Sequence, residues 1–312
     1  MKAVLPALAR PLLAPHLPAD LDVIWFADPT EAQAGIADAD IAWVDMQPTS
    51  LVADAIRCGG PKLRWVSTIY AGLDAFPLDW LRERGVTVTN GVGVNAVAVA
   101  EYAVMGVLAA AKRFDEVVHA QGRREWLRDA PGKTELPGSA ALVIGYGAIG
   151  RLIGDRLRAF GVSVTGVTRS GRDGTLTPDG WRDRLPDFDW VILAAPSTPD
   201  TKAMIGAAEL AAMKSAAWIV NIARGDMIDE AALLDALRSG AIAGAFLDPT
   251  EPEPLPPDHA LWTAPNCMVT MHLSGRSQTG MFRRAAALFL ENFEAFQNGR
   301  PMKNVADLAA GY

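Results

Sequence analysis

The run Gly145-Tyr146-Gly147-Ala148-Ile149-Gly150 follows an apolar stretch, Ala141–Ile144, and opens a helical segment that stops at Gly161. A strand, a glycine-rich turn and a helix in that order make a cradle for a dinucleotide. Gly145 permits the tight turn, Gly147 lets the backbone approach a pyrophosphate, and Gly150 lets the helix pack on the strand. The amides near Ala148 and Ile149, at the positive end of the helix, would meet the anion. Three later segments carry side chains of another kind: Asn221-Ile222-Ala223-Arg224-Gly225-Asp226, Glu253-Pro-Leu-Pro, and Met271-His272-Leu-Ser. A planar guanidinium such as that of Arg224 suits paired oxygens. The His272 imidazole can give and take a proton. A carboxylate such as Glu253 can fix the tautomer of an imidazole and favour its charged form. The plainer readings are a loop-tying Arg224, a structural His272 and a solvated Glu253 in a proline-rich loop.

Such groups need elements to hold them. Short apolar runs, β-branched or aromatic and bounded by Pro, Gly or Asp, recur along the first third: Ala3–Leu5, Val23–Phe26, Ile41–Val44, Trp65–Thr68 and Val86–Thr89. They predict an α/β unit with a parallel sheet. Residues from Asn95 to about Arg113 read as one helix, apolar almost all round, suited to a hinge or a subunit interface. A second series has strands at Ala141–Ile144, Val162–Val167, Trp190–Ala194, Trp218–Ile222, Gly244–Leu247 and Cys267–Thr270, with helices between them, one of which (Asp229–Ser239) ends at Gly240. The fold class expected is therefore α/β with two doubly wound parallel sheets. Residues 1–94 form one domain, completed by a C-terminal helix within 282–312 that begins at Phe282 and runs to about Asn298. Residues 95–281 form the dinucleotide-binding domain. The segments with Arg224 and His272 then lie at the carboxyl ends of strands, where open α/β sheets bind ligands, and Glu253 lies in the loop just beyond such an end.

The end of the second strand of that domain bears on which dinucleotide binds. A site for NAD usually carries an acid there for the ribose 2′-hydroxyl. Here the chain reads Val167-Thr168-Arg169-Ser170-Gly171-Arg172, with no acid before Asp173. Arg169 can pair with a 2′-phosphate and Ser170 can donate to it, so NADP(H) is expected over NAD(H). The other reading makes Arg169 and Arg172 solvated charges beside a permissive pocket.

Composition narrows the classes. The 312 residues suggest about two domains. Half are hydrophobic and the net charge is −7, which argues against a nucleic-acid partner. Two distant cysteines, Cys58 and Cys267, fit a reducing cytosol, and four scattered histidines offer no metal cluster. No leader of the secretory type and no apolar run of membrane length is seen. A cytoplasmic protein with no membrane or metal partner is expected.

The order glycine-rich loop, NxARG, LDxxxxEPLP and then His resembles the D-isomer-specific 2-hydroxyacid dehydrogenase family. The resemblance runs from STIYAGLD at 67–74 to the C-terminal helix and is most specific over 139–272. GAFLDPTEPEPLPPDHALW and the Thr168-Arg169-Ser170 strand end are most similar to the glyoxylate/hydroxypyruvate reductase branch. It implies a Rossmann-type cofactor domain and a flavodoxin-like substrate domain, with the active site between them. Arg224 would bind a substrate carboxylate and polarise the C2 carbonyl, His272 would protonate its oxygen, and Glu253, which keeps the EPLP register better than Glu251, would brace His272. Backbone amides of Tyr70, Ala71 and Gly72 would meet the carboxylate as well. Asp248 would contact the nicotinamide carboxamide, and Ala195, Pro196, Ile222 and Ala223 would line the cofactor. The substrate would be a small 2-keto or 2-hydroxy acid and the assembly a homodimer.

This chain departs from the family at Met271, at Pro249 and in the Leu-Ser-Gly-Arg run after His272. Tyr70 stands where a small residue is common, and either shapes a pocket or packs. Ser274 and Arg276 could reach substrate or serve the surface. A phosphoglycerate-type dehydrogenase and a nucleotide-sensing, corepressor-like protein are the rival readings, though the chain ends without room for the regulatory domain of longer phosphoglycerate enzymes. There is no YxxxK pair of the short-chain type. The acid at Glu253 disfavours the formate dehydrogenase relatives, which carry an amide there.

Overall fold

Short apolar runs, most of them buried on both faces, make the first sheet. Its strands are β1 (Lys2–Pro6), β2 (Asp22–Phe26), β3 (Ile41–Ala42), β4 (Trp65–Ser67) and β5 (Thr87–Thr89), all parallel, in the order β2-β1-β3-β4-β5. Successive side chains leave a strand on opposite faces. Val4, Ala42, Val66 and Val88 enter one core, whereas Ala3, Leu5, Ile41 and Trp65 enter the other. Both faces are thus covered, as a parallel sheet requires. The connecting helices are α1 (Arg10–Leu13), α2 (Pro29–Ile36), α3 (Ser50–Arg57) and α4 (Leu78–Glu83). The Asp28 side chain caps α2 by accepting from the Glu31 amide. The computed structural model describes residues 1–276 and 278–309.

The second sheet follows the same logic. It holds β6 (Ala140–Ile144), β7 (Ser163–Val167), β8 (Trp190–Leu193), β9 (Trp218–Asn221), β10 (Gly244–Leu247) and β11 (Cys267–Val269), parallel throughout, in the order β11-β10-β9-β8-β6-β7. Beyond β7 an isolated parallel bridge joins Val167 to Leu176. That bridge stands where the outermost strand of a Rossmann order 3-2-1-4-5-6 would lie, reduced here to one residue. The helices are α5 (Ala96–Lys112), α6 (Phe114–Gly122), α7 (Ala148–Ala159), α8 (Ala207–Ala212) and α9 (Glu230–Ser239). Gly106 lets α5 lie close on β10, because a Cβ there would meet the Phe246 ring at 2.7 Å. The α5 helix is not buried all round: Met105 is 44% exposed, and with Phe114 and Phe160 it borders an apolar groove.

A last helix, α10 (Gln278–Gln297), belongs with the first sheet; Phe289 stacks on Trp43 and Trp65. The chain divides into two compact units, Met1–Asn95 with Ser277–Tyr312, and Ala96–Arg276. Two expectations need correction. The strand at Ile41–Val44 leaves the sheet after Ala42. The C-terminal helix starts before Phe282, at Gln278; it ends as expected, at Gln297, because Gly299 takes a left-handed φ of 61° and Pro301 follows, and the chain then crosses to β5, where Val305 makes an antiparallel bridge to Thr89. Among the described residues no helix is long and apolar enough to cross a membrane.

Candidate active site

The glycine loop sits between β6 and α7. Gly145 has φ +96°, and a Cβ there would lie 2.3 Å from the Ala195 amide nitrogen, so only glycine fits both the turn and the neighbour. A Cβ on Gly150 would likewise fall 2.3 Å from the Gly145 carbonyl oxygen. Gly147 faces open space, and it and Ala148 are exposed at the start of the 12-residue α7. The first turn of α7 holds no acid. An exposed, acid-free helix start with room above Gly147 fits a pyrophosphate. The expected cofactor residues Ala195 and Pro196 leave β8, while Ile222 and Ala223 leave β9 and are themselves buried. Ser197 donates to Asp226 at 2.7 Å and ties these two exits together. After β7, Thr168 is partly buried and accepts from the Gly171 amide, and Arg169 and Ser170 are exposed. Asp173, the nearest acid, pairs with Arg151 at 3.3 Å.

Arg224 is set by its neighbours on β9. The Asn221 side chain donates to the Arg224 carbonyl at 2.7 Å and accepts from the Ala223 amide at 3.0 Å, which shapes the turn. Gly225 then touches the backbone of the next loop; a Cβ there would lie 2.2 Å from the Thr250 carbonyl carbon. The glycine of NxARG is therefore what lets the Arg224 turn pack against the loop that carries Glu253. One Arg224 guanidinium nitrogen donates to the Ala223 carbonyl at 2.8 Å.

His272 and Glu253 meet. The Nδ1 atom of His272 lies 2.9 and 3.1 Å from the two Glu253 oxygens, and the pair is partly open, with side chains 43% and 40% exposed. Glu253 also accepts from the Thr250 amide at 3.0 Å, which turns its carboxylate toward the histidine. With Nδ1 engaged, Nε2 is the nitrogen left for a substrate.

The histidine loop has left-handed backbone at Met271 (φ 56°) and His272 (φ 53°), an arrangement that the surroundings must enforce. Asp248 enforces it. Its carbonyl accepts from the His272 amide at 2.7 Å, and its carboxylate accepts from the Thr270 hydroxyl (2.8 Å), the Leu273 amide (2.9 Å) and the Ser274 amide (3.2 Å). Successive amides around a carboxylate form an anion nest. Asp248, the residue expected to contact the nicotinamide carboxamide, is 1% exposed, and its carboxylate is bound to this loop. Met271, Leu273 and Ser274, three of the positions where this chain departs from the family, belong to this assembly. Ser274 is buried and Arg276 exposed.

In the first unit the Tyr70-Ala71-Gly72 loop leaves β4. The Tyr70 amide donates to the Thr68 hydroxyl at 3.1 Å, so of the three expected amides those of Ala71 and Gly72 are the ones without an acceptor among the described residues. The Tyr70 hydroxyl accepts from Gln47 at 2.9 Å. Asp45, just beyond β3, was missed by sequence reasoning. It accepts from Thr68, Ile69 and Trp43 at the root of this loop. The signal was its place at the carboxyl end of a strand. Among the described residues no group of three His, Cys, Asp or Glu could hold a metal.

Comparison with known proteins agrees with this arrangement. Residues 104–274 match the model of the D-isomer specific 2-hydroxyacid dehydrogenase NAD binding domain. The chain is 32% identical over 310 residues to a glycerate dehydrogenase of Methylorubrum extorquens, covering 96% of each. It is 32% identical over 279 residues to a D-3-phosphoglycerate dehydrogenase of Methanocaldococcus jannaschii, covering 88% of this chain but only 52% of that one. Among solved structures, the NADPH-dependent glyoxylate/hydroxypyruvate reductase of Sinorhizobium meliloti in complex with NADP and malonate superposes with a TM-score of 0.78 at 27% identity, covering 99% of this chain and 98% of that one. A glycine cradle for a dinucleotide, an arginine turn and a braced histidine, read with the family match over the same residues, make this chain a member of the D-isomer-specific 2-hydroxyacid dehydrogenase family of NAD(P)-dependent oxidoreductases.

Proposed function

We propose that the protein reduces a small 2-keto acid of the glyoxylate or hydroxypyruvate type to the D-2-hydroxy acid, with NADPH preferred over NADH. The observation that carries this reading is His272, bound to Glu253 through Nδ1 at 2.9 Å on a loop in the same unit as the Arg224 turn. Bound nicotinamide supplies the hydride that adds to C2, and receives it in the reverse direction. The Arg224 guanidinium holds the keto acid's carboxylate and draws electron density from the carbonyl. His272 releases its Nε2 proton to the developing alkoxide, and Glu253 steadies the imidazolium until it does so. In the first unit, the Ala71 and Gly72 amides are open donors among the described residues and suit a carboxylate. Arg169 and Ser170 supply the cofactor preference, since an NADP 2′-phosphate needs donors where an acid would repel it. The relative from Sinorhizobium meliloti was solved with NADP.

The test is a panel of glyoxylate, hydroxypyruvate and 3-phosphohydroxypyruvate, each with NADPH and with NADH. Glyoxylate or hydroxypyruvate with NADPH is expected to give the highest kcat/KM, and His272→Ala to lower kcat by about 10²–10⁴-fold. A preference for the phosphorylated acid would favour the phosphoglycerate reading, which the Methanocaldococcus jannaschii relative supports. Higher efficiency with NADH would remove the role given to Arg169. Nucleotide binding without any turnover would point to a sensing protein.

The protein is also taken to be a homodimer through α5, whose apolar groove is bordered by Val104, Met105, Leu108 and Phe160. Light scattering at the mass of one 33.2 kDa chain would end that reading.

A further inference from the structure

The loop that leaves β4 is held from two sides. On one side the Gly91 amide donates to the Tyr70 carbonyl at 2.7 Å and the Asn90 side chain donates to the Ala71 carbonyl at 3.2 Å. Gly91 packs so closely that a Cβ would fall 1.9 Å from the Ile69 oxygen. On the other side stands the Asp45 carboxylate. One of its oxygens accepts from the Thr68 hydroxyl at 2.6 Å; the other accepts from the Ile69 amide at 2.6 Å and the Trp43 indole at 2.7 Å. Thr68 in turn accepts from the Tyr70 amide. Carbonyls on one side and amides on the other are thus tied down through Tyr70, and the next two amides are left to face a ligand's oxygens.

We propose that Asp45 is a positioning residue for substrate binding: it sets the Ile69–Gly72 backbone so that the Ala71 and Gly72 amides can receive a carboxylate. This rests on the reading of that loop as the substrate's carboxylate site. A hydrogen-bond donor faces Asp45 at each of its three contacts, so the ionised form is the one that completes the set. A protonated carboxyl must turn one acceptor into a donor and releases part of the loop.

Burial pushes the Asp45 carboxyl up to about 6, against the lowering by Thr68, Ile69 and Trp43. The ionisable side chains of the adjoining segments are Tyr70 and Asp74 on the loop, and Arg283 and Arg284 near the start of α10, whose Phe289 stacks on Trp43. Arg284 donates to the Val94 carbonyl at 2.6 Å. The loop's grip should therefore weaken as the pH falls through about 6.

The experiment uses the full chain with Asp45→Asn, which keeps the shape and removes the charge, and Thr68→Val, which removes only the relay to Tyr70. Steady-state assays with the keto acid should show KM raised by about tenfold in Asp45→Asn, or ~1.4 kcal/mol, with kcat within about threefold. Thr68→Val should show a smaller rise of the same kind. KM of the wild type should climb below pH 6 more steeply than that of Asp45→Asn. Amide hydrogen exchange should be faster across residues 68–73 in both variants, and this readout needs no turnover. Unchanged KM together with unchanged exchange in the folded variants overturns the proposal, as does a fall in kcat with KM constant. If the wild type turns over no keto acid, the functional reading fails, and exchange alone still decides whether Asp45 holds the loop.

Discussion

Asp45 and Asp248 stand in equivalent places in two different sheets. Asp45 follows β3 and grips the loop that leaves its neighbour β4. Asp248 follows β10 and grips the loop that leaves its neighbour β11. In a parallel sheet adjacent strands end side by side, so a carboxylate just past one strand reaches the amides just past the next. The two differ in depth. Asp248 is 1% exposed and pins a doubly left-handed turn, whereas Asp45 is only partly buried and holds a loop of ordinary backbone. The same device therefore serves two ends: one enforces a strained geometry around a proton-transfer group, the other adjusts a binding loop.

If depth is what separates them, Asp248→Asn should have the largest effect. It turns an acceptor into an amide donor pointed at amides that also donate, inside a site closed to water. Losing hydrogen bonds to a buried charge should destabilise the protein by about 3 kcal/mol or more, a fall in Tm of about 6–12 °C. With the turn relaxed, His272 is misplaced, and kcat should drop about 100-fold. Thermal melts beside single-turnover assays would check both. A large loss of Tm with kcat intact would show that His272 is placed without Asp248, and the comparison would fail on its catalytic side.

Glu253→Gln comes next. It leaves one oxygen to accept from Nδ1, replaces the other with an amide donor and removes the charge. The pair is about two-fifths exposed, so solvent screens much of the attraction. A loss of about tenfold in kcat is expected, with little change in Tm. A loss as large as that of His272→Ala would mean that Glu253 does more than brace the ring.

The sheets and the cofactor loop were legible because their signals are local. Gly145, Gly147 and Gly150 carry their reason in their spacing, and β-branched runs between glycines and prolines mark strands wherever they lie. His272 and Glu253 were legible through motif order. Asp45 and Asp248 as loop holders were not, since each acts on amides more than 20 residues away, brought alongside only by strand pairing. The reduction of the outer strand to the Val167–Leu176 bridge was hidden for the same reason: sheet membership at an edge depends on a partner, not on the residues of the strand. The early exit of the chain at Trp43 is similar. The residue types there favour a strand, and Trp43 and Val44 do keep the alternation between the two cores; only the strand pairing stops at Ala42.

The smallest expected effect gives the sharpest contrast, because it concerns sign. The folded Asp45 carboxyl is raised to about 6 from an ordinary 3.8. A carboxyl raised by folding contributes stability that is full below its unfolded value and is lost as the pH rises through its folded value. The wild type should therefore gain stability relative to Asp45→Asn on moving from pH 7.5 to pH 4.5, by about 1 kcal/mol once partial exposure is allowed for, or about 2–4 °C in the difference of Tm. Acid would thus firm the fold at Asp45 while loosening the loop that Asp45 holds. Calorimetry of both proteins at the two pH values reads that difference. A Tm gap that stays constant, or that shrinks in acid, would mean that Asp45 is as comfortably ionised as any surface carboxylate and that burial does not hold its carboxyl up.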